Sequence, residues 1–178
     1  MRLPFDLIVM DLETNGSKDH RIVEIGAVRL DMDLKMMDTF QILVDGRPVT
    51  DEVVEIHHIT NAMLEGKPKF AEAHEAFDDW CKKSPLYVLA AFGAYFDMPV
   101  LRAEYDRIGM KYPHRGDALD VKGVIWCELL KRGLPVKYLA PDRAAELMGI
   151  PWEGTRHRGL DDAIMEAKIF RAAVGARS

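Results

Sequence analysis

Cysteine is scarce: Cys81 and Cys127 are the only two in 178 residues. One pair cannot build a disulfide framework, and neither has a second ligand at zinc-pair spacing. Both read as free thiols of a reducing compartment. Glycine (13) and proline (9) are too few for a low-complexity or collagen-like chain. No apolar run is long enough to cross a bilayer. The opening residues Met1-Arg2-Leu3-Pro4-Phe5-Asp6 lack the apolar core of a signal peptide. Positive charge is also short, with 24 Lys and Arg against 29 Asp and Glu and a net charge of −5. That balance excludes a chain that coats nucleic acid by bulk attraction. What remains is a soluble, cytoplasmic protein with no membrane partner, 48% hydrophobic and long enough to bury a core as one domain over 1–178.

The charge is unevenly spread. Residues 1–97 hold 10 basic and 18 acidic side chains, residues 98–159 hold 11 and 8, and residues 160–178 hold three of each. An acidic first half suits a cation site and a more basic middle suits an anionic substrate. Uneven surface charge gives the same pattern.

Phe5 to Asp11 is a short β-prone run, followed by the turn Asn15-Gly16-Ser17. Arg21 to Leu30 and Met36 to Val44 read as two further strands, and the short gaps predict antiparallel hairpins. Phe70, Ala73, Phe77 and Trp80 recur at helical spacing, so 70–83 is an amphipathic helix. Leu86 to Phe92 is a fourth strand after that crossover, placed to run parallel to an earlier one. Helices follow at about 96–110, 119–132, 139–149 and 159–175. The order predicts an α/β domain with a mixed sheet, without repeats or a linker.

Asp11 and Glu13 end the first strand. Period two puts both carboxylates on one face, a costly arrangement unless a cation or hydrogen bonds neutralise them. Acid-x-acid pairs are common in so acidic a chain, and Asp31 and Asp33 form a bland one in a turn. Context makes Asp11-Leu12-Glu13 more demanding: a polar turn follows, then the apolar strand Ile22-Val23-Glu24-Ile25-Gly26-Ala27. Asp97 follows the fourth strand in Phe92-Gly93-Ala94-Tyr95-Phe96-Asp97, where a helix-start acid would also serve the dipole. His157-Arg158-Gly159-Leu160-Asp161-Asp162 opens the last helix, where an acid pair would do the same.

Together these segments resemble the three signature motifs of the DEDDh group of 3′-to-5′ exonucleases, the family of the DNA polymerase III proofreading subunit. The resemblance covers roughly 5–172. The stretch from Leu147 to Ala163 is most similar to the ERI-1-like, RNA-directed branch. In the middle motif many relatives carry His-Asn where this chain has Phe92-Gly93, although Phe96-Asp97 is kept.

The resemblance implies an RNase H-like (DnaQ-like) fold and a site built from Asp11, Glu13, Asp97 and Asp162. Asp162 is chosen over Asp161 because the family's metal-binding Asp lies five residues after the His, and Asp161 becomes a surface or helix-start residue. It also implies two Mg²⁺ or Mn²⁺ ions, with His157 as general base. Hard carboxylate oxygens suit such ions, and a neutral imidazole suits proton transfer near neutral pH. Thr14, Asn15 and Gly16 are the expected contacts to the terminal nucleotide. His58 and Ile59 are candidates beside the last base, with core packing open for Ile59. Phe92 and Tyr95 are candidates for stacking, whereas Phe96 is expected in the core and Trp126 and Trp152 in the core or at a rim. The expected partners are single-stranded RNA or DNA 3′ ends, and no protein partner is indicated. A DNA-proofreading subunit and an inactive interaction module on the same fold are the competing readings; fold alone does not guarantee activity.

Overall fold

The computed structural model describes residues 2–134 and 136–175. The first run becomes β1 (Asp6–Thr14), and its alternation divides the core. Leu7 and Val9 point into one apolar cluster, while Ile8, Met10 and Leu12 point into another on the opposite face. Strand β2 (Ile22–Leu30) is buried along all nine residues, and β3 (Met36–Leu43) alternates as an outer strand should. β1 pairs antiparallel with β2, and β2 with β3. β4 (Tyr87–Ala91) runs parallel to β1, and β5 (Ala118–Asp120) parallel to β4. The order is β3-β2-β1-β4-β5, a mixed sheet with β1 at its centre. The pairing of β1 with β4 ends at Val9 and Ala90, so beyond it the two chain ends part and leave a crevice.

Helix α3 (Phe70–Cys81) packs on one face of the sheet with α4 (Ala94–Arg107). Helices α5 (Val121–Lys131), α6 (Pro141–Met148) and α7 (Gly159–Ala173) build the other face. Three elements were not expected from the sequence: α1 (Asp51–His57), α2 (Asn61–Leu64) and β5. Seven, four and three residues are too short to display a period. They exist through local capping and tertiary contact. Thr60 caps α2 by accepting from the Met63 N–H, and β5 is held as an edge strand by β4.

α7 lies across β1 and β2 at unusually close range. A Cβ on Gly26 would sit 1.9 Å from the carbonyl carbon of Gly159, and a Cβ on Gly159 would sit 3.0 Å from the Gly26 nitrogen. Glu24, fully buried, locks this approach. Its Oε2 accepts from the Gly159 N–H at 2.9 Å, and its Oε1 accepts from Arg158 Nη2 at 2.8 Å and Gln41 Nε2 at 2.7 Å. Burial pushes this carboxyl up, but the bonds from Arg158, Gly159 and Gln41 outweigh burial and hold it below the usual glutamate value.

Gly26→Ala has no room to be absorbed, because its new methyl meets backbone rather than a flexible side chain. Chemical denaturation should show it less stable by about 1–3 kcal/mol, the cost of overpacking a filled interior. An unchanged midpoint would contradict the close approach.

Candidate active site

The C-terminal end of β1 delivers two acids. Asp11 pairs with Gly26 and Glu13 with Glu24, and both continue the face begun by Leu7 and Val9. The first turn of α7 delivers Asp162 to the same place. One carboxylate oxygen from each of Asp11, Glu13 and Asp162 lies within 4.8 Å of the others. Asp97 enters from the first turn of α4, and its Oδ1 accepts the Leu12 N–H at 3.2 Å. Gly93 makes that helix start possible: it adopts φ +93° at the N-cap, and its N–H is taken by Asp120 Oδ1 at 3.0 Å.

All four acids line one open cavity of about 570 Å³, a size that suits a nucleotide-sized ligand. His157 lines it too. Its φ of +57° is rare for a non-glycine residue, and its N–H donates to Asp162 Oδ2 at 2.8 Å, which ties the histidine loop to the acid. Asp161 points elsewhere and accepts the Thr155 N–H at 2.8 Å, bracing the same loop from outside.

Burial and mutual repulsion dominate the electrostatics. Burial, then the charges of Glu166, Asp97, Glu13 and Asp162, hold the Asp11 carboxyl well above its ordinary value. Burial raises Glu13 to about 8, aided by Asp162 and Glu24. Asp97 rises to about 7 through burial, against the Leu12 hydrogen bond, and Asp162 to about 6 through burial, against that from His157. Acids so placed favour either protons or a cation. The donor set is all hard oxygen, and Asp162 Oδ1 is buried with no hydrogen-bond partner. Both features fit a divalent cation better than a closed structural network.

The remaining sequence candidates divide. Phe92 and Tyr95 line the cavity, Tyr95 being 75% exposed. Phe96 is not a core residue: it is 39% exposed, lines the cavity and meets the His20 ring edge-on. Its position in the first turn of α4 turns it outward while Asp97 turns inward. Ile59 is fully buried with Val23, Val49 and Leu64, so packing rather than ligand contact occupies it. Asn15 is likewise committed to structure. Its amide donates to the carbonyls of Gly46 and Pro48, and its Oδ1 accepts from Ser17 and Arg21. Gly16 lies in that turn, and Thr14 follows a register shift at the end of β1. His58 is exposed at the end of α1 and does not line the cavity, whereas His57 is buried. His57 accepts the Ile59 N–H on Nδ1 at 3.0 Å, so its proton sits on Nε2, which donates to the Thr14 carbonyl at 3.1 Å. Trp152 forms the cavity rim under Arg156, and Trp126 packs against the core.

Sequence reasoning missed Glu166, Lys122 and Arg156, which also line the cavity. For Glu166 a signal existed: it follows Asp162 by four residues, and i,i+4 side chains share a helix face. Nothing local distinguished Lys122 or Arg156 from other surface cations.

A mixed sheet with acids gathered at the end of its central strand defines an RNase H-like exonuclease domain. The family model described as Exonuclease matches residues 8–170, and the chain belongs to that family. A PolC-type DNA polymerase III of Clostridium perfringens is 30% identical over 93% of this chain, which spans only 11% of that protein's length. The DNA polymerase III subunit epsilon of Pasteurella multocida is 27% identical, over 98% of this chain and 70% of its own length. Among solved structures, cell-death related nuclease 4 superposes with a TM-score of 0.86 at 17% identity, over 97% of this chain and 65% of its own. The nuclease domain of 3′hExo, a DEDDh family member bound to rAMP, superposes with a TM-score of 0.79 at 20% identity, over 99% and 96%.

The raised carboxyls set a stability profile. Between the ordinary carboxylate range and about pH 8, the folded chain binds more protons than the unfolded chain. Stability of the chelator-treated protein must therefore fall as pH rises through that window. Melting temperatures from about pH 5 to about pH 8 should decline steadily, and a rising curve would contradict the burial of these acids.

Proposed function

We propose that this chain is a metal-dependent 3′-to-5′ exonuclease that releases nucleoside monophosphates from single-stranded 3′ ends, RNA ends first and DNA ends as the alternative. The observation that carries the reading is the convergence of Asp11, Glu13, Asp97, Asp162 and His157 on one open cavity. An inactive module would have no reason to keep four mutually repelling acids there.

Two divalent cations, Mg²⁺ or Mn²⁺, held by Asp11, Glu13, Asp97 and Asp162, would neutralise the phosphodiester and the charge that develops as it breaks. Asp11, whose carboxyl is raised by the charges of Glu166, Asp97, Glu13 and Asp162 together, is the residue suited to serve both ions. Glu13 and Asp162, whose oxygens lie within 4.8 Å of each other and of Asp11, would hold one ion with it, and Asp97 would help to hold the second. His157 takes the proton from the attacking water. Its loop is held in place by the Asp162 carboxylate. Lys122 and Arg156 at the rim supply positive charge for the incoming backbone, and Phe92, Tyr95 and Trp152 offer faces for bases. The stretch from Leu147 to Ala163 supports RNA, as do the neighbours, one described as bound to rAMP and another as recognising a histone mRNA stem-loop. The polymerase III relatives support the DNA alternative.

Matched RNA and DNA oligomers, labelled at either end, test the reading. Shortening from the 3′ end in Mg²⁺ or Mn²⁺, abolished by EDTA and by Asp11→Ala, is expected, with RNA degraded faster. Full activity in chelator, or digestion from the 5′ end, would refute it. His157→Ala should lower kcat by about 10²–10⁴-fold, the usual worth of a general base. Asp161→Asn, which keeps the acceptor for Thr155, should stay near the parent rate. Equal loss in the two variants would overturn the assignment of His157.

A further inference from the structure

We propose that Glu166 is a fifth carboxylate of the cation site, supplying an oxygen to the ion on the Asp97 side, directly or through one water. The proposal rests on the exonuclease reading and extends it. Glu166 lies one helical turn beyond Asp162 on α7, is 2% exposed, and lines the cavity with Asp11 and Asp97. Its Oε2 accepts the Phe92 N–H at 3.2 Å where β4 ends. No ion pair among the described residues includes it.

The contrast with the protein's other buried acids is informative. Glu24 is paired with Arg158, and Glu104 with Arg21 and Arg107. Asp78 is surrounded by Tyr105, His114 and His74. Glu166 instead faces further carboxylates. Accepting one backbone N–H needs only a neutral amide or hydroxyl. A buried charge with no cationic partner costs several kcal/mol, so Glu166 carries its charge only when positive charge arrives from outside the chain. A second feature points the same way: Asp162, 8% exposed, carries a buried Oδ1 with no partner in the same cavity. Among the described residues only Asp11, Glu13 and Asp162 bring carboxylate oxygens within 4.8 Å of one another; Asp97 and Glu166 line the same cavity more widely spaced, and with Asp11 they would form a second half-site whose gaps water completes. With both half-sites built from the chain, two ions bind before any nucleic acid arrives.

Titration of the substrate-free protein with Mn²⁺, followed calorimetrically and by electron paramagnetic resonance, decides this. The parent should bind two ions. Glu166→Gln preserves shape and the Phe92 contact, and should keep one ion while weakening the second by about 10–100-fold. Glu166→Asp keeps the charge but withdraws it by one methylene, and should weaken the same ion less. A parent that binds a single ion, or a Glu166→Gln variant that binds both ions as the parent does, would overturn the proposal and leave the exonuclease reading standing. The second result would mean that Glu166 merely shares a proton with its neighbours. A parent that binds no Mn²⁺ would refute the metal-dependent reading itself.

Discussion

The close approach of α7 to β2 is the constraint on which the site depends. Two glycines, Gly26 and Gly159, let a helix start rest on the backbone of a buried strand, and Glu24 closes the contact by accepting the Gly159 N–H and pairing with Arg158. The carboxylate of Glu24 also lies where the unsatisfied N–H groups of a helix start favour negative charge. Any residue with a side chain at Gly26 would lift α7 and carry Asp162 and His157 away from Asp11 and Glu13. The acid cluster is therefore a consequence of backbone packing rather than of attraction between its members, which repel.

That repulsion separates the site from another buried polar centre, the one around Asp78. Asp78 is also buried, yet its carboxyl lies below the ordinary value. Burial pushes it up, but hydrogen bonds from His114, Tyr105 and His74 outweigh burial. Around Asp11 and Glu13 burial acts in the same direction and the neighbouring carboxylates add to it, and at Asp162 burial outweighs the bond from His157, so those carboxyls rise. The same residue type thus serves two ends. One centre is complete within the chain and rigidifies α3 against α4 and the segment bearing His114. The other is left electrostatically incomplete and open to solvent, as a cation-binding centre must be.

Much of this was legible in the residues. The apolar, β-prone run Leu7-Ile8-Val9-Met10 marked β1, and the strand period of two put Asp11 and Glu13 on one face. The apolar spacing from Phe70 to Trp80 marked α3, and the short connections between β1, β2 and β3 specified hairpins. Motif order pointed to the five polar residues that the fold brings to one cavity. Ile59, for which base contact and core packing were both open, lies in the core, and Phe96, expected in the core, lies at the cavity. One belongs to a loop drawn into the core by α1 and α2, the other to a helix start whose rotation was not readable from hydrophobicity. α1, α2 and β5 left too few residues for any period to show.

Residue types and local periods by themselves determined a mixed α/β domain, the faces of its strands and the chemistry available at each motif. Those properties follow from backbone geometry within a few residues. Tertiary structure alone decided that Lys122 and Arg156 reach the cavity, that Asn15 is spent on holding a turn, and that Asp11 and Glu13 are held far from their ordinary ionisation. Desolvation and Coulomb repulsion depend on distances between groups from opposite ends of the chain, and no local pattern encodes those distances.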